Sequence, residues 1–239
     1  MTMIVGTGNE AMREAWLEET LKQVPAGARL LDAGAGERRR KKHCGHLVYV
    51  AQDFAQYDGR GDRSGLQTGA WDQSGLDIVG DIAAIPEPDG SFDAILCVEV
   101  FEHIPHPVEA LREFARLLRP GGRLILTAPF CSMTHFAPYH FYTGFTRYFY
   151  ERYLPDFGFK IAERRSSGSY FHFLAQELRR LPEMGTRYGL RRSRSLQSLA
   201  MRAAAAVLLR VLQAFADGDT GSDELLYYGT HVVAIKKEV

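Results

Sequence analysis

The sequence has few cysteines, no net charge and no cationic, apolar start, and each absence excludes a class of protein. Its 239 residues hold three cysteines, whose spacing fits neither a metal site nor a paired disulfide framework. Lys plus Arg and Asp plus Glu both number 29, so overall charge gives no reason to expect nucleic acid or an acidic partner. The first residues lack the features of a signal peptide, and together these observations predict a cytoplasmic protein.

Long uninterrupted apolar runs are also lacking. A helix predicted at 195–216 is apolar, but Arg202 and Arg210 interrupt it, so we expect no membrane span. Its alanine content favours packing on a sheet or at a homodimer interface over lying on a membrane.

What the chain does contain is an informative octet at 30–37, Leu-Leu-Asp-Ala-Gly-Ala-Gly-Glu. An apolar run ends in an acid, and two glycines follow at alternate positions. This pattern is typical of a first β-strand that runs into a tight nucleotide-binding turn, where Gly34 and Gly36 would let the backbone bend and approach a ligand.

Further strands and helices alternate after the octet. We predict strands at 29–33, 47–51, 77–79, 92–98 and 123–128, and helices at 10–23 and 107–118. This alternation predicts an α/β fold with a doubly wound, mostly parallel sheet, in which ligands bind at the carboxyl ends of the strands. Asp53, Asp81 and Glu99 all fall at that edge. Asp93 begins its strand at the opposite edge and is interpreted as structural.

These segments together resemble the class I S-adenosylmethionine-dependent methyltransferases, specifically the type-11 small-molecule group. The matching segments are 30–36, Asp53, Gly80–Ile82, 92–95 and 117–124. The resemblance is good over about 28–130. It implies a Rossmann-like seven-stranded sheet whose last strand, 227–235, is antiparallel. It further implies one methyltransferase domain over 1–239, with a cofactor-binding core at 28–130, a helical and aromatic lid and acceptor region at 1–27 and 130–195, and the last helix and strand at 196–239.

The resemblance also implies S-adenosylmethionine as cofactor and S-adenosylhomocysteine as product. The backbone around the glycines would contact the methionine part and the ribose, Asp53 would accept from the ribose hydroxyls, and Asp81 with Ile82 would meet the adenine. Asp32 would hold the amino end through water or orient the glycine turn. The cofactor-binding residues that we predict are Asp32, Gly34, Gly36, Asp53, Phe54, Asp81, Ile82, Val98 and Glu99.

One position departs from the family pattern. The family often carries a third glycine two positions after Gly36, where this chain has Arg38, so helix packing there must differ. The third glycine of the dinucleotide fingerprint is likewise replaced, by Arg39, which counts against a nicotinamide oxidoreductase.

Glu99, Glu102 and His103 follow the fourth strand, and a helical turn would bring them together. Their spacing resembles the metal motif of small-RNA 2′-O-methyltransferases and is similar to a segment of ubiquinone-pathway O-methyltransferases. Two carboxylates and an imidazole suit a divalent cation. Packing and hydrogen bonding are the favoured interpretation, so no metal is assigned and the three residues remain candidates.

Two histidines are candidates for proton removal. We hypothesise that His103 or His140 acts as general base on a substrate hydroxyl, because imidazole titrates near neutral pH. The aromatic residues of 135–145 suit a pocket wall or lid as well as a core, whereas those of 148–157 suit ordinary helix and core packing.

The function that we predict is methyl transfer to a small molecule, at an oxygen of a sugar-like or aromatic compound. Two alternatives remain open. One is methylation of RNA or protein guided by an arginine cluster, although a solvated loop is the favoured interpretation of that cluster. The other is a non-catalytic interaction module. The arginine cluster consists of Arg179, Arg180, Arg187, Arg191, Arg192 and Arg194.

Overall fold

A seven-stranded mixed sheet organises the chain, as predicted. The computed structural model describes residues 4–189 and 196–238. The strands are β1 (Arg29–Ala33), β2 (Val48–Asp53), β3 (Ile78–Val79), β4 (Phe92–Val98), β5 (Leu118–Pro129), β6 (Phe159–Ser167) and β7 (Gly229–Lys236). Their order in the sheet is β3-β2-β1-β4-β5-β7-β6. The pairs from β3 to β5 are parallel and β7 runs antiparallel to β5, which confirms the predicted fold class.

Five α-helices accompany the sheet in the described residues. They are α1 (Asn9–Lys22), α2 (Pro107–Leu117), α3 (Arg147–Asp156), α4 (Tyr170–Met184) and α5 (Leu196–Asp217). The sequence predicted α1, α2 and α5, and helical packing of the aromatic residues of 148–157 agrees with α3, but α4 and β6 were not predicted. Charged and polar residues fill most positions of β6, so no apolar alternation marks it as a strand.

The chain divides into two compact units. One comprises Met1–Glu14 and Ser166–Tyr228, and the other Ala15–Arg165 and Gly229–Val239. In the second unit, neighbouring residues of a strand enter different cores: Leu31 and Ile95 belong to one buried cluster, and Leu30 and Leu96 to another. Both faces of the parallel strands are therefore covered, which explains their continuous apolar sequences.

The junction between α2 and β5 differs from the prediction. The Arg-Pro-Gly-Gly segment at 119–122 belongs to β5, which begins at Leu118. Leu118 and Arg123, on either side of this segment, pair with Phe92 and Ala94 of β4 across a register irregularity. Asp93 supports the junction: its Oδ2 accepts the amide of Arg29 at 2.7 Å, and its Oδ1 lies 2.5 Å from Arg119 Nε. The structural interpretation of Asp93 is confirmed.

The packing at the position of the missing third glycine differs from the family pattern, as expected. Arg38 adopts a left-handed φ of +58°, and its Nη1 donates to the carbonyl of Gly75 at 3.1 Å. Residues 37–47, all described, hold only a short 3-10 turn at Lys41–His43 and no α-helix. The link from β1 to β2 is therefore irregular, as is the long loop at 54–77.

In the unit formed by Met1–Glu14 and Ser166–Tyr228, α5 packs against α4, and most side chains of α5 remain exposed. By length and composition alone, Leu199–Asp217 is apolar enough to cross a membrane, with a mean hydropathy of 1.6. This differs from our expectation that its arginines exclude a span. Arg191, Arg192 and Arg194 of the predicted arginine cluster lie outside the described residues.

Candidate active site

A cavity of about 370 Å³ lies at the carboxyl ends of β1 to β4. One residue follows or closes each strand there: Gly34, Asp53, Asp81 and Glu99 all line it. Phe54 and Ile82 complete the predicted cofactor residues in its wall. Among the described residues, the lining does not include Asp32, Gly36, Val98 or His140.

The glycine turn after β1 has the geometry that its sequence predicts. Gly34 and Gly36 have φ values of +76° and +51°, a region that residues with a Cβ rarely adopt. A Cβ on Gly34 would lie 2.5 Å from Val100 Cγ2, and one on Gly36 would lie 3.1 Å from Trp71 Cζ3. The turn therefore needs glycine both for its backbone conformation and for close packing.

Asp53 is fixed by the same turn. It is buried, and its two carboxylate oxygens accept the amides of Gly36 and Ala55, each at 2.9 Å. Asp81 is exposed and accepts the amide of Ala83 at 2.9 Å. Two carboxylates thus border one cavity beside Gly34, each held by main-chain amides.

Asp32 and Val98 point elsewhere. Asp32 is buried and accepts a 2.5 Å hydrogen bond from the Tyr49 hydroxyl. Burial raises the pKa of Asp32 to about 6, and the hydrogen bond from Tyr49 opposes that rise. Val98 packs against the core cluster that contains Trp16 and Leu30. Because Asp32 is buried and does not line the cavity, it can only have the second of its two expected roles, which is to orient the glycine turn.

The three metal candidates separate into two places. Glu99 has a φ of +55°, and its Oε1 accepts a hydrogen bond from Thr127 Oγ1 at 2.8 Å. Glu102 and His103 instead group with His135, and their ligand atoms all lie within 4.8 Å of one another. The sequence did not assign His135, because it comes from the segment after β5, more than 30 residues away.

Both histidines of this group are oriented by main-chain carbonyls. Nδ1 of His103 lies 2.7 Å from the carbonyl of Tyr139, and Nδ1 of His135 lies 2.9 Å from that of Met133. Because a carbonyl can only accept, each Nδ1 carries the proton and each Nε2 presents a lone pair. The two Nε2 atoms lie 3.6 and 3.9 Å from Glu102 Oε1.

The two predicted bases differ in their surroundings. Burial, with a smaller contribution from His135, lowers the pKa of His103 to about 3. His140 is half-buried, its ring centroid lies 4.9 Å from that of His135, and burial lowers its pKa as well. His103 lines the cavity and is neutral at physiological pH, but it accepts protons poorly.

Aromatic rings form the remaining wall. Phe136 stacks on Tyr57 at 4.8 Å and on His103 at 4.9 Å, and Trp71 contacts it edge-on at 5.3 Å. Leu66 joins the 54–77 loop to the segment after β5, because its amide and carbonyl both form hydrogen bonds with residues of 134–136. The sequence missed Tyr57 and Trp71, whose only signal was an aromatic residue within a Gly- and Asp-rich loop.

Residues 31–126 match the family model described as "Methyltransferase domain". The chain is 39% identical over 105 residues to a ubiquinone biosynthesis O-methyltransferase of Xanthomonas oryzae pv. oryzae (strain PXO99A), a match that covers 43% of each protein. It is 36% identical over 104 residues to the protein of the same name from Xanthomonas campestris pv. campestris (strain B100), covering 42% of this chain and 43% of the relative. The match therefore spans less than half the length of these relatives.

Solved structures share the fold across nearly the whole chain. Phosphoethanolamine N-methyltransferase 2 of Haemonchus contortus, in complex with S-adenosyl-L-methionine, superposes with a TM-score of 0.56 at 16% identity, covering 99% of this chain and 54% of that one. The [4+2]-cyclase SpnF gives 0.56 at 20% identity, covering 96% and 82%. A geranyl diphosphate methyltransferase in complex with GPP and sinefungin gives 0.53 at 14%, covering 95% and 78%.

The protein therefore has the class I methyltransferase fold. Within it, residues 31–126 match the model of the methyltransferase-domain family, in agreement with the resemblance drawn from the sequence.

Replacement of Gly34 by Ala should destabilise the protein more than replacement of Gly27 by Ala. Both glycines have a φ near +77°, but a Cβ on Gly27 meets nothing within 4 Å, whereas one on Gly34 meets Val100. We expect a cost of about 1–2 kcal/mol for Gly27→Ala and a clearly larger one for Gly34→Ala, measured by urea unfolding. Equal losses would mean that the contact with Val100 relaxes freely.

The neutral state of His103 predicts a loss of stability in acid. The pKa of His103 in the folded protein, about 3, lies below its usual 6.5. Between these two pH values the unfolded chain therefore binds a proton that the folded protein does not bind. This stabilisation is present above pH 6.5 and is lost as pH falls toward 3, at no more than about 1.4 kcal/mol per pH unit. Unfolding of EDTA-treated protein between pH 7 and 4 should show a shallower slope for His103→Gln; parallel slopes would contradict the assignment.

Proposed function

We propose that this protein transfers the methyl group of S-adenosylmethionine to a hydroxyl oxygen of a small molecule. The observation that carries the proposal is one cavity at the ends of four adjacent strands, bordered by Gly34, Asp53 and Asp81 on one side and by His103 and aromatic rings on the other. The name shared by the Xanthomonas relatives supports an oxygen acceptor.

The cofactor would occupy the part of the cavity beside the glycine turn. Asp53 retains free lone pairs beyond the amides that fix it, so it can accept the ribose hydroxyls. Asp81 would accept from the adenine amino group, with Phe54 and Ile82 along the ring. Glu99, held by Thr127, would face the methionine end. The complexed phosphoethanolamine methyltransferase of the same fold supports this choice of cofactor.

The acceptor would lie against the wall made by Phe136, Tyr139 and Phe141. An apolar, ring-lined wall favours an aromatic hydroxyl over a sugar, because burial of ring surface is favourable there and a sugar would need more polar partners. The sulfonium cofactor is already activated, so the protein need only align the acceptor, exclude water and accept a proton.

Proton removal is the step for which the candidate residues differ most. With a pKa of about 3, His103 is a weak base at neutral pH, and its Nε2 lies 3.6 Å from Glu102 Oε1. Burial also lowers the pKa of His140, which is half-buried and outside the described lining, so it would have to act through a bridging group.

A divalent cation fits the group of Glu102, His103 and His135. Histidine ligands of metals commonly donate their other nitrogen to a carbonyl, as both imidazoles do here, and a neutral imidazole is the form that binds a metal. When bound, a cation would lower the pKa of a hydroxyl held beside it. We propose these three residues as its ligands, with Glu99 outside the set.

The alternative of RNA or protein methylation receives little support from the described arginines of the cluster. Nε of Arg179 donates to the carbonyl of Val5 at 2.8 Å, and Arg180 pairs with Glu177 at 2.6 Å. A non-catalytic module remains the other alternative, since a fold by itself does not establish catalysis. Binding of S-adenosylmethionine with turnover of a hydroxylated aromatic compound would exclude it.

We also propose a cytoplasmic location. The three cysteines are free thiols, and Cys44 and Cys97 are buried apart from each other in the core. Unpaired thiols suit a reducing compartment.

Asp81→Asn should weaken binding of S-adenosylmethionine by about tenfold in calorimetry, because it removes a charge-assisted hydrogen bond at an exposed position. Asp62→Asn is the matched control: Asp62 likewise accepts an amide two residues on, at 2.8 Å, and is not among the described lining residues. If both variants bind as the unchanged protein does, Asp81 does not contact the cofactor. If the unchanged protein does not bind S-adenosylmethionine, the proposed function itself is wrong.

His135→Ala should reduce the affinity for zinc or manganese ions by at least about tenfold, because one of three protein ligands is lost. His46→Ala serves as control, since Nε2 of His46 lies 3.1 Å from the carbonyl of Val24 and His46 is not a member of this group. Titration of metal-free protein measures both. An unchanged protein without metal affinity, or equal affinity in the two variants, would exclude this cation site.

A further inference from the structure

We infer that α5 docks on an anionic lipid bilayer, lying in the plane of the interface. Its outward face is apolar and uncovered in the structure: Leu199 is 67% exposed, Val207 58% and Val211 43%. Only 6% of the residues of Leu199–Asp217 are buried. The inference does not depend on the proposed methyl transfer.

The apolar face extends over about three turns of the helix. At 3.6 residues per turn, Ala200, Val207 and Val211 fall on the side opposite Ala205, the one described residue of α5 that is buried. Phe215 falls on a flank, where its ring centroid lies 5.4 Å from that of Phe171 in α4. Leu212 and Leu209 lie near Ala205 and are half-buried, so the inner face is already occupied. From Ala200 to Val211 the outer face spans about 17 Å of helix.

The charge of this region identifies the occupant. The sequence contains no Asp or Glu from 184 to 216, and six arginines fall in that stretch, although the whole chain has no net charge. The six are Arg187, Arg191, Arg192, Arg194, Arg202 and Arg210. An apolar helix face beside basic residues and without acids complements a surface that combines hydrocarbon with negative headgroups.

Two other occupants fit less well. A second copy of this helix would bring arginines against arginines, with no carboxylate in 184–216 to pair with them. A spanning orientation would put Arg202 and Arg210 in the hydrocarbon. Both arginines are exposed on the flank between the outer face and Ala205, with Arg210 nearer to the outer face and Arg202 nearer to Ala205. Their long side chains can extend toward headgroups while the apolar side chains enter the bilayer.

The test is co-sedimentation of the full chain with vesicles of mixed phosphatidylcholine and phosphatidylglycerol, compared with phosphatidylcholine alone. We expect binding to the mixed vesicles that weakens as salt is added. Val207→Ser/Phe215→Ser should reduce partitioning at least about tenfold, and Arg202→Gln/Arg210→Gln should reduce it about fivefold per arginine and flatten the salt dependence. Leu225→Ser and Arg152→Gln, at exposed positions outside α5, should bind as the unchanged protein does.

Hydrogen exchange on the unchanged protein provides a second measurement that needs no variant. Mixed vesicles should slow exchange in 196–215 and leave α4 little changed. The inference is overturned if the mixed vesicles do not bind the protein, or if the variants and controls bind alike. It is also overturned if light scattering finds a dimer that Val207→Ser/Phe215→Ser dissociates while vesicles remain unbound.

Discussion

The hydrogen bonds that Asp53 accepts from the amides of Gly36 and Ala55 are the constraint on which the site depends. One carboxylate joins the turn after β1 to the end of β2, so the ends of these two strands cannot move apart without leaving a buried charge unsatisfied. Gly34 then approaches Val100, which follows β4, and this contact brings the third strand end to the same edge. The cavity follows from these contacts between strand ends.

The part of this architecture that the sequence predicted is the part with strict periodicity or strict turn chemistry. β1 and β4 agree with their predicted bounds, because continuous apolar runs bounded by acids leave little choice of register. The cofactor edge followed from topology, since parallel strands present their carboxyl ends together. β6 was missed because charged and polar residues fill most of its positions, so no local apolar pattern marks it as a strand.

The residues that complete the site were harder to find. His135 and Trp71 come from irregular segments, and hydrogen bonds between those segments, from Leu66 to residues 134–136 and from the Asp62 amide to the carbonyl of Ala137, bring them over the cavity. Nothing in the local sequence encodes those contacts. Glu102 and His103 were found as neighbours in sequence, yet their alignment depends on the carbonyls of Tyr139 and Met133, which orient two imidazoles toward one carboxylate. A group of two lone pairs and an anion favours a positive charge between them.

The edge-on packing of Trp71 has a practical consequence. Its indole contacts Tyr57 and Phe136 in the cavity wall and borders the glycine turn, while the other tryptophan, Trp16, is buried in the core and stacks on His231. Ligand entry would change the polarity around one indole and leave the other shielded. The intrinsic fluorescence of this chain thus carries its own occupancy signal and its own internal reference, without any added dye.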